Sequence, residues 1–151
     1  MIEINNQTSF RVDKKLFTGV AKKVLKGENR EREKISLAFI SKEEIKKLNK
    51  KFRGKNKPTD VLSFDLTTSY KFFNPEFRTE GLPTTNSELG EIVICPEVVK
   101  ENSGKNRIAF EEEIIRVFMH GILHLLGYNH EKSEKEAQKM EAKEKFYLNK
   151  I

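Results

Sequence analysis

The amino-acid sequence predicts an α+β fold, in which a small, mostly mixed sheet of about four strands is covered by helices. Short β-prone runs alternate with amphipathic segments over the first half of the chain. The run Ile92–Cys95 is continuously apolar, as in a strand buried on both faces. The later run Ile114–Leu126 is apolar almost all round, which predicts a central buried helix that bears two histidines. The 151 residues fit one domain, 1–151.

The first four elements follow from periodicity and end signals. Residues 1–7 predict a strand, and residues 12–27 have apolar positions at helical spacing before a terminal glycine. After a charged loop, residues 34–40 form a short β-prone run. Residues 41–54 begin with a Ser-x-x-Glu capping box and end in glycine, which predicts a second helix.

The second half of the chain predicts two more strands and then only helices. A strand at 61–66 is followed by an irregular connection at 67–87 and a second strand at 89–97. Three helices follow, at 96–103, 107–126 and 133–148. Another capping box opens the last helix. The predicted order is therefore βαβαββααα.

Composition and charge narrow the classes of protein. Lys and Arg number 29 against 23 acidic residues, a net charge of +6, which fits either a solvated surface or a polyanionic partner. The single cysteine, Cys95, excludes an intrachain disulfide and lies in the apolar strand run, which favours a structural role. No apolar run approaches the ~18 residues that span a bilayer. We therefore expect a soluble, cytoplasmic protein without a membrane partner.

All three histidines of the chain fall within the segment FMHGILHLLGYNHE. His120 and His124 are four residues apart on the predicted central helix, so their side chains lie on one face, about 6 Å apart along the axis. In a continuing helix, His130 would lie ~240° around from His124. Gly127 predicts a left-handed helix end, after which the chain can turn and bring His130 back. We expect Gly121 to let another backbone or a ligand approach beside His120.

The pattern H-x-x-x-H-x-x-G-x-x-H indicates a catalytic metal site. Three neutral imidazoles bind one Zn²⁺ and leave a position open, whereas structural zinc sites usually have four protein ligands. Ni²⁺ or another divalent transition metal also suits three imidazoles. The spacing matches that of extended zinc-protease helices. Those proteases, however, use a glutamate as general base where this chain has Gly121, which disfavours peptide hydrolysis.

Three segments resemble the signatures of a known family. RGKNKPTDVLSF, LGEIVIC and HGILHLLGYNH begin at residues 53, 89 and 120. They are similar to the signatures of the YbeY family of bacterial endoribonucleases, also called rRNA maturation factors, and occur in the family's order. The resemblance covers essentially the whole chain. Asn129 and Glu91 each stand where the family commonly has aspartate.

The resemblance implies a zincin-like fold with one metal ion held by His120, His124 and His130. It implies cleavage of single-stranded RNA in small-subunit rRNA maturation and ribosome quality control. The implied partners are precursor rRNA, the small ribosomal subunit and its assembly factors, but not DNA. It also makes Arg53 the basic active-site residue, whose planar donor fork could brace the charge that develops on phosphorus. A divalent ion would attract and polarise the anionic phosphodiester.

No residue is assigned as general acid, and the residues that bind the substrate are unknown. Glu91 and Arg116 are candidates for the acid. Arg116 precedes His120 by four residues on the same helix face, but it could instead pair with Glu112 or Glu113.

Two other features could contact RNA. Segment 46–57 carries seven Lys or Arg residues in twelve, so it is either a phosphate-contacting edge or a solvated helix face. The irregular connection contains Tyr70, Phe72, Phe73 and Phe77, which could stack on unpaired bases, although such aromatics more often pin a long loop to the body.

The histidine pattern together with the resemblance favours a metal-dependent, single-strand-specific endoribonuclease. The first alternative is a ribosome-assembly factor that binds RNA and uses its metal only to hold the fold. The second alternative is a metal-dependent hydrolase of another substrate.

Overall fold

The computed structural model describes residues 2–65 and 88–151. Within these two ranges the chain forms β1 (Ile2–Asn6), α1 (Lys14–Gly27), β2 (Lys34–Phe39), α2 (Lys42–Arg53), β3 (Val61–Asp65), β4 (Glu88–Ile94), α3 (Pro96–Asn106), α4 (Phe110–Leu125) and α5 (Glu134–Leu148). The predicted irregular connection 67–87, with its four aromatic residues, lies outside the described residues. The α+β class is confirmed.

The four strands form one mixed sheet in the order β1-β2-β4-β3. The pairs β1–β2 and β2–β4 are parallel, and β3 runs antiparallel to β4. The predicted mixed sheet of about four strands is therefore confirmed. Among the strands of residues 2–65 and 88–151, β3 pairs only with β4 and forms an edge of the sheet.

Strand β4 is buried on both faces, as its continuous apolar run predicts. Ile92 and Ile94 belong to the larger core cluster, which also contains residues of α1 and α4. Val93 and Cys95 belong to a second cluster, which contains Ile45 of α2. Because side chains alternate along a strand, helices α1 and α4 cover one face of the sheet and α2 covers the other. Cys95 is a buried free thiol, as expected.

The helix caps predicted from Ser41, Ser133 and Gly54 are present. Ser41 accepts a hydrogen bond from the backbone N–H of Glu44 at 3.2 Å, and Ser133 accepts one from the backbone N–H of Glu136 at 3.1 Å. Gly54 ends α2 with φ of 69°, in the left-handed region that glycine adopts without steric cost. These three features fix where α2 and α5 begin and where α2 ends.

Three helix boundaries differ from the prediction by two or more residues. Helix α3 extends to Asn106 rather than to residue 103. It ends there because the next residue, Arg107, adopts a left-handed φ of 55°. Helix α4 consequently begins at Phe110 rather than at residue 107. Helix α1 begins two residues later than predicted, because the carboxylate of Asp13 accepts hydrogen bonds from two backbone amides of the first turn.

Helix α4 is the central helix. It contacts α1, α3, α5, β3 and β4, and most of its residues from Glu113 onward are buried. Its more open flank carries Arg116, His120 and His124. In the two described ranges, no helix has the length and apolar character needed to cross a membrane.

Candidate metal centre

The three histidines converge as predicted. Their ring centroids are 5.1–5.3 Å apart, and one ring nitrogen from each lies within 4.8 Å of the others. Within residues 2–65 and 88–151, His120, His124 and His130 are the one group of three or more His, Cys, Asp or Glu side chains with this spacing. No carboxylate belongs to the group, so the donor set is three imidazoles.

The bend after α4 returns the third histidine to the other two. Gly127 adopts a left-handed φ of 100°, as predicted, and its N–H donates to the carbonyl of His124 at 3.1 Å. The side-chain oxygen of Asn129 then accepts a hydrogen bond from the backbone N–H of Glu131 at 2.9 Å. This local turn spans His130, and the neutral Asn129 makes it without adding a charge beside the imidazole.

Gly121 allows α4 to approach the sheet closely. A Cβ at this position would lie 3.0 Å from Cγ2 of Ile92 and 3.2 Å from Oγ of Ser63. The Ser63 hydroxyl also donates to the Gly121 carbonyl at 3.3 Å. The expectation that another backbone or a ligand uses this space is wrong, because side chains of β3 and β4 fill it. The close contact places His120 and His124 beside the edge strand.

A second network ties the bend to α1 and α5. The Tyr128 hydroxyl donates to Oε1 of Glu28 at 2.5 Å, and the Lys143 ammonium donates to Oε2 of the same carboxylate at 3.1 Å. Burial raises the pKa of Glu28, but the hydrogen bonds from Tyr128 and Lys143 outweigh it and hold the pKa below its usual 4.5. Tyr128, two residues before His130, is thereby fixed to Glu28, the residue that follows α1.

Glu144 of α5 contacts one of the three histidines directly. Its Oε1 lies 2.6 Å from Nδ1 of His120, and its side chain is 17% exposed. If Nδ1 carries the proton and donates it to this carboxylate, Nε2 keeps its lone pair for a metal ion. Carboxylates orient metal-bound imidazoles in this way in other proteins. Sequence reasoning missed Glu144, because it lies 24 residues after His120 on a different helix.

The environment of His124 favours the neutral imidazole. Burial has the largest effect on the pKa of His124 and lowers it below its usual 6.5. The neighbouring His120 and His130 lower this pKa further. Only a neutral imidazole can donate a lone pair to a cation. The described residues therefore fit a divalent transition metal in donor type and spacing, and the lowered pKa of His124 favours the form that binds one.

The histidines line a cavity of about 520 Å³ between β3 and α4. Arg53 and Arg116 are among the cationic residues of its wall, and Asp60 and Glu131 are among the acidic ones. Oε1 of Glu131 lies 3.9 Å from a guanidinium nitrogen of Arg53 and 3.9 Å from Nε2 of His130. The structure thus brings Arg53, predicted as a site residue, to the same cavity as the three imidazoles.

The two candidate general acids have different positions. Arg116 lines the cavity, and its guanidinium donates to the buried carboxylate of Glu113 at 2.7 Å, which decides between its two possible partners. Glu91 is not among the residues that line the cavity. The adjacent Ile92 packs against Gly121, so Glu91 points to the opposite face of the sheet. Burial, together with the nearby Glu88, raises the pKa of Glu91. The structure does not bring Glu91 to the histidines.

Comparison with known proteins decides the family. The family model described as Endoribonuclease YbeY matches residues 3–151. The chain belongs to the YbeY family. The Endoribonuclease YbeY of Bdellovibrio bacteriovorus is 44% identical over 119 residues, which are 79% of this chain and 67% of that protein. The Endoribonuclease YbeY of Persephonella marina is 39% identical over 140 residues, which are 92% of this chain and 84% of that protein.

A solved structure agrees with the family assignment. The solution structure of TM1509 from Thermotoga maritima matches with a TM-score of 0.66 and 32% sequence identity, covering 98% of this chain and 87% of that chain. The resemblance to the YbeY family predicted from the three sequence segments is therefore confirmed.

Proposed function

We propose that this member of the YbeY family is a metal-dependent endoribonuclease that cuts single-stranded RNA. Its role would be maturation of small-subunit ribosomal RNA and ribosome quality control in the cytoplasm, with residues 1–151 acting as one domain. The convergence of three imidazole nitrogens within 4.8 Å, in a cavity that also contains two arginines, carries the proposal. The names of the relatives support the RNA substrate.

We assign His120, His124 and His130 as the ligands of one ion, Zn²⁺ in the first instance and Ni²⁺ as the main alternative. When bound, such an ion supplies a Lewis acid for a phosphate oxygen and lowers the pKa of bound water. The protein residues orient this centre. The close contact at Gly121 sets the distance between α4 and the sheet. The bend at Gly127 brings His130 close to His120 and His124, and Glu144 orients the ring of His120.

Arg53 is proposed as the residue that binds the scissile phosphate. It is the last residue of α2, and its side chain is 43% exposed at the cavity that the histidines share. Glu131 lies close enough to pair weakly with it when no phosphate is present. A guanidinium offers two parallel donors to a phosphate, and stabilising charge at phosphorus is commonly worth ~10²–10³ in rate.

Cleavage of unpaired RNA tests the proposal. The wild type should cut a single-stranded oligonucleotide and spare the same sequence in a duplex. His124→Ala should abolish cleavage and metal binding while circular dichroism shows a folded protein. Arg53→Ala should reduce cleavage ~10²-fold with unchanged metal content. Lys51→Ala, an exposed residue of the same helix that does not line the cavity, is the matched control and should cleave normally.

The same experiment distinguishes the alternatives. A wild type that binds RNA but does not cut it with any divalent metal would be an RNA-binding assembly factor. A wild type that ignores RNA and hydrolyses peptides or small amides would be a hydrolase of another kind. Either result would contradict the proposed activity.

A further inference from the structure

We infer that two exposed lysines of α2, Lys46 and Lys50, form with Arg53 a basic stripe that guides the backbone of single-stranded RNA to the metal centre. The inference rests on the proposed function and adds the path of the substrate outside the cavity. It chooses between the two interpretations that the sequence left open for segment 46–57.

The helical positions of these residues place them in one line. At ~100° per residue, Lys46, Lys50 and Arg53 lie within about 60° of one another around the helix axis. The buried Ile45 and the partly buried Phe52 face the sheet, so the stripe runs along one flank of α2. Arg53 at its end lines the cavity with the three histidines.

The two lysines are available to a ligand. Both are exposed, and no hydrogen bond, ion pair or ring contact engages either side chain among the described residues. Some other lysines of the same chain are paired. Lys42, four residues before Lys46, bonds to Glu101 at 2.6 Å, and Lys143 bonds to Glu28 at 3.1 Å. The stripe therefore presents positive charge that no described carboxylate neutralises.

The stripe is held in a fixed position relative to the cavity. Asn49 is buried, with 1% of its surface exposed, and its amide donates to the carbonyl of Lys57 at 2.8 Å. The backbone carbonyl of Asn49 accepts a hydrogen bond from the backbone N–H of Lys55 at 3.3 Å. The end of α2 is thereby fastened to the loop that leads into β3, the strand that lines the cavity. The helix therefore holds the Cα positions of the stripe residues in place relative to the cavity.

The length of the stripe fits several phosphates. Arg53 lies seven positions after Lys46 in the helix, a distance of ~10 Å along the axis. This length exceeds the spacing of successive phosphates on an unpaired strand, so the ends of the stripe can contact different phosphates. Contacts of this kind carry affinity without reading sequence. The stripe should therefore matter for long substrates and not for those confined to the cavity.

The salt dependence of binding tests the inference. The variant Lys46→Gln/Lys50→Gln is compared with Lys22→Gln/Lys26→Gln, which removes two exposed lysines at the same spacing from α1. Binding of a labelled twelve-nucleotide unpaired RNA to the protein as purified is followed by stopped-flow anisotropy, read before cleavage. Each lost phosphate contact reduces the slope of log K against log salt by ~0.7 for a single strand, so the stripe variant should lose about 1.4. The control should keep the wild-type slope.

Cleavage kinetics give the second readout. In the stripe variant, KM for the twelve-nucleotide RNA should rise at least about tenfold while kcat stays near the wild-type value, because neither lysine lines the cavity. KM for a three-nucleotide RNA should not change. A stripe variant with the slope and KM of the control would overturn the inference and leave the proposed function standing. A wild type that neither binds nor cuts RNA would overturn both.

Discussion

The contact between Glu144 and His120 allows a quantitative prediction about metal affinity. The carboxylate oxygen lies 2.6 Å from the ring nitrogen, at the short end of charge-assisted hydrogen bonds. Without this partner, the half-buried imidazole can rotate or take up its proton on the nitrogen that should face the metal. Loss of such a supporting contact typically weakens metal binding ~10–100-fold, or about 1.4–2.7 kcal/mol.

Two substitutions separate charge from contact. Glu144→Gln keeps an oxygen that can accept from Nδ1 of His120 but removes the charge, so the affinity should fall by about tenfold. Glu144→Ala removes the acceptor as well, so the affinity should fall by about 100-fold. Glu141→Gln is the matched control, because it makes the same charge change on the same helix. Glu141 pairs with Lys145, and 64% of its side chain is exposed. It should bind metal as the wild type does.

Competition with a fluorescent zinc indicator measures the affinity, and thermal unfolding of the metal-free proteins checks the fold. The assay does not depend on RNA cleavage, so it tests the role of Glu144 even if turnover is slow. Equal affinities for wild type and Glu144→Ala, with the fold intact, would refute the idea that this carboxylate positions His120.

Two further predictions concern stability and pH. Gly90→Ala should destabilise the fold by about 1–3 kcal/mol in urea unfolding, because the added Cβ would meet the carbonyl oxygen of Phe64. Gly19→Ala should stabilise the fold by ~1 kcal/mol in the same assay, because alanine favours a helix and nothing lies within 4 Å of the added Cβ. A result of the same sign for both variants would contradict the packing described. Because the folded-state pKa of Glu28 is depressed below 4.5, its stabilising contribution is present above that pH and is lost as the pH falls through the folded-state value. Wild type should therefore lose more unfolding free energy than Glu28→Gln between about pH 5 and pH 3, and identical acid profiles would refute the role of the Tyr128–Glu28 contact.

Local signals explain which parts of the fold could be predicted. Local interactions determine the helix ends at Ser41, Ser133 and Gly54 and the strand β4. The predictions for these four features are confirmed. The boundary between α3 and α4 was wrong, because the left-handed conformation of Arg107 has no strong local signature. The order of the strands depends on pairings between distant residues, which composition and periodicity do not encode.

The candidate site divides in the same way. The three histidines and Gly127 share one short segment, so their geometry could be predicted from helical periodicity and glycine chemistry. Arg53 was predicted as a site residue only from the family resemblance, and Glu144 was not predicted. Both residues reach the cavity from helices that are distant in sequence from the histidines. The sequence does not show to which face β4 directs Glu91, so the separation of Glu91 from the histidines could not be predicted.

Metal analysis tests the central claim most directly. Protein purified without a histidine tag should contain close to one divalent transition-metal ion per chain, and chelation should remove both the ion and the cleavage of unpaired RNA, with return of the metal restoring both. His124→Ala should contain almost none. Full cleavage by a protein shown to be free of metal would contradict the account.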